Sequence, residues 1–243
     1  MSQIALVTGA NRGLGKEVAR RLACRGFVVL LGSRDLQRGV DATKELAAAG
    51  AHTSPIRLDV TDPAAVRTAV EQIRGDHGRL DVLVNNAGTF VGALPMETSV
   101  ADMRDIFEVN VFGVVEVTRA CVPLLRRSTA PRIVNVSSTT ASLGLTSAGA
   151  DIPGDAGRRL AYASSKAALN MLTVQYAAAF GRDPALAHIK INSAVPGYTA
   201  TDMNDHRGTR TVEEGARVIV DLATLPDDGP TGGCFADDGP VPW

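Results

Sequence analysis

The sequence predicts an α/β fold: a doubly wound parallel sheet of about seven strands with helices on both faces. Three observations lead to this. Short apolar runs alternate with amphipathic stretches of helical period along the whole chain. The runs are continuous rather than alternating, as expected of strands buried on both faces of a parallel sheet. The first run also leads at once into a glycine-rich turn and then a helical stretch, the opening of a right-handed βαβ unit. A chain of 243 residues is long enough for one substantial core, and no repeat, linker or low-complexity tract divides it. One domain over residues 1–243 is expected.

In order, residues 4–7 form the first strand, stopped at Thr8-Gly9. Residues 11–15 make the turn, and residues 16–25 carry Val18, Ala19 and Leu22 at helical spacing, with Gly26 to close the helix. Residues 27–31 give the second strand and 35–49 the second helix, ended at Gly50. Residues 52–58 give the third strand, and Asp62-Pro63 opens the next helix with proline in its first turn. The fourth strand, 80–84, ends in Asn85-Asn86-Ala87-Gly88. A long helical stretch over 100–127 has Asn110 near its middle, and Pro123 predicts a kink late in it. Strands at 132–136, 189–194 and 234–236 follow. The segment 141–157, rich in glycine, alanine and serine, reads as an irregular insertion. A loop of that length inside a compact domain is usually functional or mobile.

Composition narrows the function. A net charge of −1 without a basic cluster argues against nucleic acid as a partner. Cys24, Cys121 and Cys234 are scattered, without metal-ligand or disulfide spacing, so a reducing compartment is expected. The opening MSQIALVTGA leaves no room for a signal peptide, and no uncharged run is long enough to span a bilayer. A soluble, cytoplasmic protein is the expectation.

The chemistry centres on LAYASSKAALNM, residues 160–171. Tyr162 and Lys166 stand four apart, so a helix stacks them on one face. A phenol beside an ammonium group is a general acid/base whose anion the positive charge stabilises. The alternative is a packed tyrosine and a solvated lysine on an ordinary helix. Upstream, Gly9, Asn11, Arg12, Gly13, Leu14 and Gly15 lie between first strand and first helix. Glycines there let backbone approach a pyrophosphate held against the helix N-terminus.

TGANRGLG at 8–15, NNAG at 85–88, Asn110, a serine ending the fifth strand and YxxxK at 162–166 together resemble the short-chain dehydrogenases/reductases. The likeness covers nearly the whole chain, and VVLLGSRDLQRG after the second strand looks most like the carbonyl reductases. The resemblance implies a single-domain Rossmann-type fold that transfers hydride between a nicotinamide cofactor and a carbonyl or alcohol. On that likeness Tyr162 donates the proton in reduction, Lys166 lowers its pKa and binds the nicotinamide ribose, Ser138 hydrogen-bonds the substrate oxygen, and Asn110 holds a water in a proton relay. Ser137 is the rival to Ser138, since adjacent strand residues face opposite ways. Asn110 and Asn86 have structural alternatives, a backbone hydrogen bond and a turn. Asn86, Ala87 and Gly88 border the adenosine ribose by resemblance, and Asp59-Val60 the adenine, although Asp59 could instead cap a helix. Pro196, Gly197, Thr199 and Thr201 match the segment contacting nicotinamide and phosphates.

The cofactor depends on the end of the second strand. A carboxylate there favours NAD, an arginine the 2′-phosphate of NADP. Asp35 has the spacing of a ribose ligand, but Ser33 and Arg34 lie nearer the strand end and Asp35 reads as a helix start. With Arg12 as a second cation, NADP(H) is expected. The rivals are an NAD-dependent alcohol dehydrogenase and a non-catalytic nucleotide sensor. Substrate walls are expected from 90–96, 139–160 and 199–210, with Leu143, Leu145, Ile152 and Leu160 as an apolar lining. The partner is a small carbonyl or alcohol, not nucleic acid or membrane. A homodimer or homotetramer is open, as in the family.

Overall fold

A computed structural model describes residues 2–243. One eight-stranded sheet runs in the order β3-β2-β1-β4-β5-β6-β7-β8. The strands are β1 (Ile4–Val7), β2 (Val28–Ser33), β3 (Thr53–Arg57), β4 (Val82–Asn85), β5 (Arg132–Val136), β6 (Lys190–Ala194), β7 (Cys234–Ala236) and β8 (Gly239–Pro240). The expectation of about seven is one short. A tight turn folds β8 back antiparallel on β7, and its two residues carry no apolar run to announce it.

Eight α-helices lie among the described residues: α1 (Gly13–Cys24), α2 (Leu36–Ala48), α3 (Pro63–His77), α4 (Val100–Phe107), α5 (Gly113–Leu125), α6 (Leu143–Ser147), α7 (Leu160–Arg182) and α8 (Val212–Ala223). Alternation along β1 assigns the two faces. Ala5 and Val7 join Val18, Leu22, Leu46 and Ile219 in one core, beneath α1, α2 and α8. Ile4 and Leu6 join Val66, Ile73, Val117, Leu124 and Phe180 in the other, beneath α3, α5 and α7. β1 lies centrally, its Leu6 in register with Leu30 of β2 and Leu83 of β4. The chain reverses its winding between β1 and β4, so the crevice beyond their carboxyl ends is where an open α/β sheet holds ligands.

The structure changes three local expectations. α1 starts at Gly13 rather than residue 16, so the last glycines of the turn are already helical. α5 runs through Pro123 to Leu125, so the long helical stretch is not broken there, and its irregular turn lies earlier. It is a π-helical turn, Glu108–Phe112, with buried Asn110 at its centre. Such turns mark functional sites more often than chance allows. The 141–157 segment is not structureless: Ser142 caps α6 by accepting from Leu145 N at 3.0 Å, and the segment flows into a 3₁₀ turn, Ala156–Arg158. No helix among the described residues is long and apolar enough to cross a membrane.

Candidate active site

The crevice is lined first by the turn after β1, which backbone contacts make tight. Thr8 Oγ1 accepts from Asn86 N and Ala87 N at 3.0 and 2.9 Å, tying the turn to the segment after β4. The Asn86 amide donates to the carbonyls of Thr8 and Gly9 at 2.8 and 3.1 Å. Asn86 therefore shapes the turn, as the structural alternative has it. A Cβ on Gly15 would lie 2.4 Å from Asn86 Nδ2 and 2.8 Å from the Gly9 carbonyl oxygen. One on Gly9 would lie 2.9 Å from Ala87 Cα. These glycines let the turn pack flush against the segment after β4, at the N-terminus of α1 where backbone N–H groups favour an anion. Asn11 lies on the turn, part-exposed, while Leu14 packs into the core against α8. Gly15→Ala is expected to dislodge Asn86 and weaken dinucleotide binding at least tenfold, with a Tm loss of a few degrees. Fluorescence titration and thermal melts check both; unchanged affinity would contradict an anion site at this turn.

Across the crevice, α7 presents Tyr162 and Lys166. Its buried residues Ala161, Ser165, Lys166, Leu169, Asn170 and Thr173 form one stripe, so the lysine belongs to the packed face. Lys166 is only 4% exposed, and its Nζ donates to the Val136 carbonyl at the end of β5 at 2.7 Å. The solvated-lysine alternative is thereby excluded. Burial disfavours the ammonium and lowers its pKa to about 8. Nζ lies 5.7 Å from the Tyr162 ring centroid. Tyr162 is part-exposed, but burial of its hydroxyl end pushes the pKa up to about 12, opposed by a hydrogen bond with Ser138.

The two serines face apart as strand alternation requires. Ser137 donates to Asn170 Oδ1 of α7 at 2.7 Å and is buried. Ser138 meets the phenol, and its Oγ accepts from Thr140 N and Thr140 Oγ1 at 3.2 and 3.0 Å. Asn110 joins this cluster by its side chain. Oδ1 accepts from Thr89 N at 2.9 Å, and Nδ2 donates to Thr89 O and Ser165 Oγ, both at 3.0 Å. Both amide hydrogens are thus committed to protein, so the side chain has no donor left for a water. A Cβ on Gly88 would lie 3.4 Å from Asn110 Oδ1 and 3.7 Å from Lys166 Nζ, which joins the cluster to the nucleotide crevice.

At the end of β2, Ser33 is buried and donates to the Asp35 carbonyl at 2.7 Å. Asp35 caps α2, accepting from Gln37 N and Arg38 N at 2.9 and 3.2 Å, and so acts as a helix start. Arg34 is exposed, with no hydrogen bond or ion pair to another described residue. Asp59 caps a local turn, accepting from Thr61 N and Oγ1, and the α3 cap is Asp62 instead. Val60 is buried, against the first residue of α5. Beyond β6, Thr199 Oγ1 donates to the carbonyl of Pro196 at 3.1 Å; the hydroxyl is buried and braces its own loop beside Gly197. Thr201 Cγ2 lies 3.6 Å from where a Gly13 Cβ would be, so Thr201 does reach the crevice. Arg12, on the turn after β1, is exposed, and its Nη1 pairs with Asp202 Oδ2 at 2.8 Å.

Comparisons with known proteins agree with this arrangement. The family profile described as short chain dehydrogenase matches residues 3–212. The chain belongs to the short-chain dehydrogenase/reductase family. Among relatives, (+)-neomenthol dehydrogenase of Capsicum annuum is 30% identical over 304 aligned positions, covering 95% of this chain and 94% of the relative. Salutaridine reductase of Papaver bracteatum is 31% identical, covering 94% and 92%. Both alignments are longer than the 243 residues, so these relatives carry segments this chain lacks. The solved salutaridine reductase of Papaver somniferum superposes with TM-score 0.83 at 28% identity, covering 97% of this chain and 99% of the other. A gluconate 5-dehydrogenase of Burkholderia cenocepacia, solved with NADP and tartrate, gives TM-score 0.82 at 25% identity, covering 97% and 94%.

As a short-chain dehydrogenase/reductase the chain is an oxidoreductase acting on a small molecule. Beside Tyr162 lies Phe90, whose ring meets it edge-on, centroids 5.5 Å apart at 77°. Arg158 donates to the Gly92 carbonyl at 3.3 Å, and Ala93 bridges Arg159, so the 90–96 and 139–160 segments close on one another. Leu143 and Leu160 are exposed rather than packed, while Leu145 and Ile152 are half-buried. Sequence reasoning misses Thr8 as the tie between the two turns and Asp202 as the partner of Arg12. Both act on residues more than seventy positions away, and nothing local signals such a contact.

Proposed function

We propose that this protein is an NADP(H)-dependent carbonyl reductase with Tyr162 as proton donor. The observation that carries the reading is the buried Lys166 beside the Tyr162 phenol and Ser138, at the edge of a crevice that a tightly packed glycine turn opens at the N-terminus of α1. A buried amine is costly and persists where it has work to do.

A nicotinamide dinucleotide would lie along the crevice: Gly9, Gly13 and Gly15 let the turn pack closely at the N-terminus of α1, and Arg34 is exposed at the β2 end with no partner among the described residues. When bound, the nicotinamide supplies the hydride. Ser138 and Tyr162 hydrogen-bond the substrate oxygen, and Tyr162 passes its proton to the alkoxide as that charge develops. Lys166, held by the Val136 carbonyl, stabilises the tyrosinate left behind and reaches the ribose. The same groups serve both directions: the neutral phenol donates in reduction, and the tyrosinate beside the Lys166 ammonium accepts in oxidation.

Arg34 supports NADP(H) over NAD(H), because Asp35 is spent on the α2 cap. A neighbour solved with NADP is in keeping with this. The substrate is an apolar ketone or aldehyde, seated against Phe90 and the half-buried Ile152. The test is NADPH consumption against a carbonyl panel, with neomenthol and NADP+ for the reverse direction. NADPH preference should be at least about tenfold, and Arg34→Ala should erode most of it while NADH binding changes little. Turnover with NADH alone would favour the NAD-dependent rival; no turnover on any carbonyl would favour the sensor.

A further inference from the structure

The loop after β6, residues 198–210, is closed at its base. Ala200 N donates to the Arg210 carbonyl and Arg210 N to the Tyr198 carbonyl, at 2.8 and 3.0 Å. Its tip crosses to the other half of the sheet and lies on the glycine turn, with Thr201 against Gly13 and Asp202 on Arg12. Asp202 has two partners: Arg12 Nη1 at 2.8 Å from one carboxylate oxygen and His206 Nε2 at 2.9 Å from the other. To bring His206 round, Asp205 and His206 both adopt left-handed backbone, φ 51° and 57°. That conformation is unfavourable for side-chain-bearing residues and needs contacts to hold it. A cavity of about 500 Å³ is lined by Arg12, Gly13, Thr201, Asp202, His206 and Arg210, among others.

This geometry puts a carboxylate of the chain's own on the arginine of the glycine turn. α1 carries no acidic residue in its first turn, so Asp202, 190 positions away, is the anion brought to Arg12, its N-cap. We propose that Asp202 is an internal anion that latches the 198–210 loop onto the glycine turn and occupies Arg12, so that discrimination of the cofactor's 2′-phosphate rests on Arg34. The inference builds on the NADP(H) reading above and adds how that preference is divided. Only one arm of the Arg12 guanidinium is engaged, and the pair is largely exposed, 64% and 44%. It is therefore a latch that a cofactor can open, with effects of a few-fold.

The test uses the full chain in four forms: unchanged, Asp202→Asn, Arg12→Ala and Asp202→Asn/Arg12→Ala. NADPH and NADH affinities come from fluorescence titration and dissociation rates from stopped-flow displacement. Asp202→Asn should release NADH about two- to fivefold faster and, by freeing Arg12, raise the NADPH-over-NADH preference by a similar factor. The double variant should lose that gain. Arg12→Ala alone should speed NADH release and leave the preference unchanged. Hydrogen exchange in the cofactor-free protein should rise at residues 198–210 in both single variants. An unchanged preference in Asp202→Asn, or an Arg12→Ala variant that loses preference as Arg34→Ala does, overturns the division of labour. Unchanged NADH release and exchange overturn the latch. Equal affinity of the unchanged protein for both cofactors overturns the NADP(H) reading instead, and the NADH rates and exchange still decide for or against the latch.

Discussion

Tyr162→Phe lowers turnover with a good carbonyl substrate by about 10²–10⁴-fold, and cofactor affinity stays within about twofold. The change removes one oxygen, and the phenylalanine ring keeps its edge contact with Phe90. Fold and crevice survive while the proton donor is gone. Ser138 loses its phenolic partner but still accepts from Thr140, so no buried group is orphaned. A companion result comes from pH. Burial takes the phenol to about 12 and the ammonium to about 8, so neither changes charge appreciably between about pH 5 and 7, while Lys166 loses its charge around pH 8. The reductive rate should be flat across the lower window and fall above it. Wild-type kcat in the purified variant, or an acid limb inside the window, would remove Tyr162 from its role.

Lys166→Met should also abolish most turnover and weaken cofactor binding, yet leave the protein at least as stable at neutral pH. The reason is that the fold disfavours the charge it buries. The lysine falls from 10.5 to about 8 on folding, so between those values the unfolded chain binds more protons and stability rises with pH. Below pH 8 the full penalty applies, roughly 3 kcal/mol, offset in part by the hydrogen bond to the Val136 carbonyl. Above about 10.5 it has vanished. Methionine carries no such penalty, so the variant's relative advantage should be greatest below pH 8 and fade between 8 and 10.5. Denaturant titrations at pH 7, 9 and 10.5 measure it. A constant difference across the three would mean that Lys166 is not buried as an amine, and full activity would mean that it is not used.

Much of this was readable from the chain. Short apolar runs, glycine stops and helix caps are local signals, set by propensity and burial over a few residues, so strands β1 to β7, helices α1 to α5 and the start of α7 were predictable, whereas α6 lay in a stretch read as irregular and α8 was not foreseen. β8 was not, because two residues carry no pattern. The long helix misled differently: Pro123 is the residue that breaks helices in general, yet the irregular turn formed at Asn110. There the side chain is bound to Thr89 and Ser165, and the backbone follows that tertiary demand.

The sequence by itself determined the fold class and family, the glycine turn, the Tyr162–Lys166 pairing on one helical face and the candidacy of Arg34, because each is written in residue type and short spacing. Tertiary structure alone decided which serine meets the phenol, that Lys166 is buried rather than solvated, that Asn86 and Thr199 brace loops, and that Arg12 is held by Asp202. The physical reason is one of range. Burial, desolvation and ion pairing depend on which distant segments the closed sheet brings together, and Arg12 finds its carboxylate 190 residues along the chain.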